Sequence, residues 1–95
     1  MAIMSEITMV WVFNGFQSNF PSGIFVNKNQ AEDWITANNL TGTLTLYPVG
    51  VGVYEWAIAN KLFTPKKETQ TSALFIGKFS SASQEHYHYE NGRRG

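Results

Sequence analysis

From Gly42 to Pro48 the chain alternates as its cleanest strand. Thr41, Thr43, Thr45 and Tyr47 fall on one side, Leu44 and Leu46 on the other. A period of two over this length is a β-strand with one face buried and one more polar. Such a strand needs partners, and two upstream segments qualify. Ile7–Phe13 is β-branched and aromatic, with Ile7, Met9, Trp11 and Phe13 on one face and Val10 and Val12 on the other. Apolar residues on both faces predict a central strand. Phe20–Val26 reads as a second strand, with Pro21 near its start, where a missing N–H is tolerated. The polar run Asn14–Asn19 between them makes a hairpin the economical connection.

Helix signals are interleaved. Asn27 followed by Gln30 is a capping-box pattern. The helix it opens carries Ala31, Trp34, Ile35 and Asn38 at helical spacing, leaves Glu32 and Asp33 outside that stripe, and ends at Asn38-Asn39. After the turn glycines Gly50 and Gly52, Val53–Leu62 fits a short helix with Tyr54, Ala57, Ile58 and Leu62 on one side. Thr64-Pro65 stops it, and Lys61, Lys66 and Lys67 sit where cations suit a helix C-terminus. Glu68–Ser72 reads as a polar loop and Ala73–Phe79 as the last clear strand.

A short internal echo bears on the closing residues. Gly23 to Gln30 aligns with Gly77 to Gln84, glycine, phenylalanine, capping residue and glutamine falling at matching positions. Ser81 with Gln84 is then a second capping box, opening a short C-terminal helix over Glu85–Tyr89. Without that helix the segment His86-Tyr87-His88-Tyr89 is extended. The chemistry differs: in a strand His86 and His88 share a face, whereas in a helix they diverge and His86 meets Tyr89 and Glu90.

Composition narrows the function classes. The chain has 95 residues, enough for one domain with a modest core. Seven basic and seven acidic residues cancel, so no general field attracts nucleic acid or an anionic membrane. Cysteine is absent, which removes disulfides and thiolate metal sites. The opening residues have no basic n-region ahead of the short apolar run, unlike a signal peptide, and no stretch approaches membrane-spanning length. The expected location is the cytoplasm.

The stretches "VWVFNG", "FPSGIF", "LTGTLTLYP", "VYEWAI", "FTPKK" and "FIGKFSSASQEHYHYENG" together resemble a family of small bacterial proteins of unknown function. The resemblance runs from about Val10 to Gly92. It implies a small α+β domain, found alone or attached to other domains, and it brings no catalytic or binding residues.

Candidate chemistry concentrates in the last strand or helix. His86, His88, Glu85 and Glu90 are metal-ligand types, yet the chain holds only two histidines and a structural zinc site needs four ligands. No metal or other cofactor is expected. His86 with Glu85 or Glu90 would serve as an acid/base pair. No nucleophile accompanies it: Ser80, Ser81 and Ser83 lack a nucleophile elbow, and Gly50-Val51-Gly52 is too short for a phosphate-binding fingerprint. No enzyme activity is expected. Phe63-Thr64-Pro65-Lys66-Lys67 and Arg93-Arg94 mix an aromatic with cations, as nucleic-acid surfaces do, but too few cations are present in a neutral domain. The aromatic load is the better clue. Three Trp, four Tyr and seven Phe exceed what so small a core encloses, and Trp and Tyr anchor protein interfaces.

The expectation is therefore a single α+β domain over residues 1–95, with an ordered core of about 6–90 and flexible termini at 1–5 and 91–95. Its order is β-β-α-β-α-β, with a four-stranded, mainly antiparallel or mixed sheet, two helices on one face and the short C-terminal helix. Trp11 and Trp34 are expected to be buried near each other. Functionally it reads as a non-catalytic protein-interaction module, binding a protein partner or itself through His86, Tyr87, His88 and Tyr89, and neither nucleic acid nor membrane. The alternative is a small ligand- or metal-binding protein using the C-terminal His/Tyr/Glu cluster.

Overall fold

A computed structural model describes residues 8–95; the expectations for residues 1–5 and for Ile7 lie outside the described residues. The elements are β1 (Met9–Gly15), β2 (Pro21–Phe25), α1 (Lys28–Ala37), β3 (Gly42–Pro48), α2 (Val53–Ala59), a 3-10 turn (Glu68–Thr71), α3 (Ala73–Lys78), β4 (His86–Glu90) and β5 (Arg93–Arg94). The strands form one antiparallel sheet in the order β2-β1-β3-β4-β5. The class is α+β, with five strands in place of the four expected.

The first half follows its local signals. β1 and β2 form the hairpin, with a bulge where the register slips between Phe13 and Asn14. Asn27 caps α1, its Oδ1 accepting from the Gln30 N–H at 2.8 Å. The helix ends in a left-handed residue, Asn39 at φ 54°. Leu40 N–H reaches the Ile35 carbonyl at 3.0 Å and Asn39 N–H the Thr36 carbonyl at 3.2 Å. This is the Schellman arrangement, which satisfies carbonyls the helix would otherwise orphan. The same closure ends α2 at Lys61, φ 59°, where Leu62 N–H bonds to the Ala57 carbonyl at 2.8 Å. That is why α2 stops several residues before Pro65.

The core lies between α1 and one face of the sheet. Trp11, Phe13, Leu44 and Tyr89 from the strands meet Ala31 and Ile35 from α1, with Trp34, Phe25, Leu40, Leu46 and Tyr87 around them. Trp11 is buried as expected, but Trp34 is only half-buried. Its ring packs on Phe13 (5.6 Å between centroids) and Phe25 (5.3 Å), while Trp11 lies against Tyr87. Of the two helices expected on this face, α1 alone lends buried residues to the cluster. Tyr54 of α2 joins a second aromatic cluster with Phe63, Phe75 and Phe79.

The second half corrects three expectations. Ala73–Phe79 is not a strand: Ala73–Lys78 is the helix α3, capped by Ser72, whose Oγ accepts from Phe75 N–H at 3.2 Å. Six residues fit either period. The choice falls to helix because a helical turn brings Phe75 and Phe79 together and onto Phe63. Ser81 opens no helix, and the echo with residues 23–30 has no structural counterpart. The Gln84 side chain does reach back, its Oε1 accepting from Ser81 N–H at 3.1 Å. Its Nε2, however, donates to the Leu46 carbonyl at 3.1 Å, so the buried Gln84 clamps a turn against β3 and the chain leaves as a strand. Residues 91–95, expected to be a flexible tail, close a hairpin instead. Asn91 and Gly92 both take positive φ, 51° and 82°, as a two-residue hairpin turn requires. Gly92 is seated on the end of α1: its N–H bonds to the Leu40 carbonyl at 2.8 Å and its carbonyl accepts from Thr36 Oγ1 at 3.0 Å. A Cβ there would lie 3.1 Å from the Asn39 Cα and 3.2 Å from the Thr36 Cα.

Candidate functional site, an open sheet face

β4 resolves the alternatives left by the sequence. It is extended and pairs with β3 in the register Gly42↔Tyr89, Thr43↔His88, Leu44↔Tyr87, Thr45↔His86. Alternation therefore sends the tyrosines to one face and the histidines to the other. The four residues expected to form one surface are divided between the core and solvent.

The tyrosine side is structural. Tyr89 is 5 % exposed, and its hydroxyl donates to Glu32 Oε2 at 2.6 Å. Arg94 reaches the same carboxylate oxygen at 3.4 Å. Burial, and then the bond and charge of Glu32, hold the phenol protonated well above its ordinary value. Tyr87 is half-buried. The Lys28 ammonium stands 4.2 Å and the Arg94 guanidinium 4.7 Å from its ring centroid, a cation–π arrangement. Its hydroxyl donates to Glu85. Glu85 is thereby engaged by Tyr87 and does not pair with His86. Arg94 serves Glu32 and Tyr87 while Phe63 belongs to the second aromatic cluster, so the cation–aromatic elements considered for nucleic acid are used in separate packing clusters.

The histidine side is open. Across it run Ile24, Val12, Thr45 and His86 as successive opposed residues on β2, β1, β3 and β4. A second row, Asn14, Thr43 and His88, lies beside it, and Val10 opposes Tyr47. None of these side chains is buried, and Ile24 is 66 % exposed. Val10 and Val12, which make β1 apolar on both faces, are thus half-covered residues of an uncovered face. The two imidazoles stand edge to face with centroids 5.4 Å apart. His86 Nδ1 donates to the Gln84 carbonyl at 2.7 Å, an acceptor that fixes the proton on Nδ1 and leaves Nε2 outward. His88 Nδ1 lies 3.3 Å from Thr43 Oγ1. Two imidazoles are two potential metal ligands; among the described residues no group of three or more His, Cys, Asp or Glu is placed to hold an ion. Chemically the face offers aliphatic side chains, threonine hydroxyls and two imidazoles.

A groove of about 830 Å³ lies beside α3. Leu62, Phe63, Leu74, Phe75 and Phe79 line it, with Ser80 to Ser83 along one side. The groove depends on the helical form of Ala73–Lys78, whose signals in the sequence are Ser72 as a cap three residues before Phe75, and Phe75 four residues before Phe79.

Among the described residues no helix is long and apolar enough to cross a membrane. No curated protein matches the chain, and no solved structure matches it. A family model does, over residues 10–95, which contain every strand described above except the first residue of β1. The chain belongs to the family described as domain of unknown function (DUF7710).

Proposed function

We propose that this domain is a non-catalytic protein-interaction module whose contact surface is the open sheet face carrying Ile24, Val12, Thr45, His86 and His88. One observation carries the reading. Two valines and an isoleucine lie on a face where no strand side chain is buried, and an apolar strip on an otherwise regular surface gains free energy when a partner covers it. His86 and His88 bring hydrogen-bonding tips that fix the orientation of a partner, as polar groups at an interface do. Tyr89 belongs to the core and not to this surface. The test uses the full chain as bait in the native cell, beside Thr45→Arg, which sets a long cation in the middle of the face, and Leu74→Arg, which alters the groove. A partner recovered by the wild type and by Leu74→Arg but not by Thr45→Arg supports the reading. Equal recovery by all three refutes it.

The His86 geometry favours a second reading, a metal-binding surface. A ligating imidazole characteristically donates its other nitrogen to a carbonyl, as His86 Nδ1 does to Gln84. Calorimetric titration of untagged protein with zinc and with nickel decides it. Stoichiometric binding at micromolar or lower concentration, lost in His86→Ala or His88→Ala, would replace the interaction reading.

A further inference from the structure

The two edges of the sheet are unlike. At one, β5 is two residues long and consists of Arg93 and Arg94. Short, charged strands of this kind blunt an edge against pairing. At the other, β2 has no strand on its outer side among the described residues, and what blunts it is confined to its first residue, Pro21, and the register slip opposite it. No Asp, Glu, Lys, Arg or His occurs from Ile7 to Asn27. Phe20, Ile24 and Val26 are 76, 66 and 71 % exposed.

The ladder fixes which peptide groups are free. Val49 N–H bonds to the Thr8 carbonyl and Phe16 N–H to the Thr41 carbonyl. With Val10↔Tyr47, Val12↔Thr45 and Asn14↔Thr43 between them, alternation turns the peptide groups of Val10, Val12 and Asn14 toward β3 and those of Trp11 and Phe13 toward β2. Trp11 opposes Phe25 and Phe13 opposes Gly23. Phe25 and Gly23 are therefore the hydrogen-bonded partners of β1, and the N–H and C=O of Ile24, between them, point away from the sheet.

We infer that β2 is the docking edge for a second copy of this chain, the two copies meeting antiparallel about a two-fold axis at Ile24. The inference rests on the reading that protein contact is this domain's role, and it names the partner. A strand that presents one N–H and one C=O from the same residue is complementary to itself, each copy's Ile24 donating to and accepting from the other. The axis sets Ser22 opposite Val26. It joins the open faces of the two copies side by side, so that Ile24, Val12 and their counterparts form one continuous apolar strip. The absence of charge selects this occupant: a neutral edge meets its own copy without like-charge repulsion, and offers an acidic or basic partner nothing to pair with.

Sedimentation velocity on the purified full chain, from roughly 1 to 500 µM, tests the inference. Ile24→Pro removes only the outward N–H and leaves the bonds to β1 intact. Ile24→Lys keeps the N–H but sets like charges across the axis. The two act by different physics, so a folding defect in one leaves the other to decide. The wild-type mass should rise with concentration from 10.7 kDa toward twice that value, while both variants stay at the monomer mass with a wild-type circular dichroism spectrum. A wild type that stays monomeric throughout, or a dimer that survives both substitutions, overturns the inference. A dimer abolished by Thr45→Arg and kept in the Ile24 variants also overturns it, while leaving the open face standing as an interaction surface.

Discussion

Replacing Tyr89 by phenylalanine should remove a dependence of this domain's stability on alkaline pH that the buried phenol creates. In the folded protein the phenol is buried and donates to Glu32, so its protonated form is favoured well above the ordinary value of 10.0. The unfolded chain releases that proton near pH 10 and the folded chain does not. Below pH 10 both states hold it and the bond contributes in full. Above pH 10 the folded state binds more protons than the unfolded one, so stability falls as pH rises. The slope approaches about 1.4 kcal/mol per pH unit, a loss of about 2 kcal/mol by pH 11.5. At neutral pH, Tyr89→Phe deletes one hydrogen bond to a charged acceptor. Because Glu32 keeps Arg94 and is partly solvated, the cost should fall at the lower end of the usual range, about 1–2 kcal/mol. Urea denaturation followed by tryptophan fluorescence, at pH 7, 9, 10.5 and 11.5, measures both proteins. The wild type should lead by that margin up to pH 9, and the lead should vanish by about pH 11.5. A gap that stays constant across the series would refute the account, since it would mean that the folded state releases this proton as readily as the unfolded chain.

Three further outcomes follow from the packing. Gly92→Ala should cost at least 2 kcal/mol, roughly, because a Cβ at φ 82° is strained and would press on the Asn39 and Thr36 backbone; thermal melts that shift by no more than a degree would contradict the docking of this turn on α1. Gln84→Ala removes bonds to Ser81 N–H and to the Leu46 carbonyl at a site 3 % exposed, and should cost about 2–3 kcal/mol in the same denaturation assay; a value within about 0.5 kcal/mol of zero would mean that water replaces both bonds. Trp34→Ala should cost about 3 kcal/mol, the low end for a large aromatic because the ring is only half-buried, and a loss below about 1 kcal/mol would show that its contacts with Phe13 and Phe25 carry little.

Where local chemistry and long-range packing agree, the sequence was a sufficient guide. The Thr/Leu alternation of β3, the cap at Asn27 and the left-handed closure at Asn39 are each determined within a few residues, and all three stand in the structure. The failures sit where a local signal had two uses. Gln84 carries the glutamine of a capping box and makes half of that box's bonds, but a carbonyl of β3, distant in sequence, takes its amide and turns the segment away from a helix. The apolar pattern of Ala73–Phe79 satisfies both periods, and the cap at Ser72 together with packing on Phe63 decides between them. Asn91-Gly92 is a local signal too: Asn-Gly between extended residues is a strong short-range hairpin signal, and it outweighs the nearness to the terminus that suggests flexibility. At the candidate site, the four residues expected to share one surface do not, because the sequence leaves helix and strand both open for residues 86–89. Once β4 is extended, alternation alone separates His86 and His88 from Tyr87 and Tyr89, and sets the open face.

The seating of Gly92 on the end of α1 also bears on when the domain becomes whole during synthesis. β4 lies inside the sheet, between β3 and β5, yet it is made after every other long strand. Until residues 86–94 have left the ribosome, Leu44 and Trp11 lack the tyrosines beside them, β3 has a bare edge, and the C-terminal turn of α1 lacks the Gly92 bonds to Leu40 and Thr36. A chain short of these residues exposes aromatic surface that the finished domain covers, which invites aggregation. Closure then comes in one late step, with contacts that span most of the chain, which favours slow, all-or-none folding over gradual growth from the first hairpin.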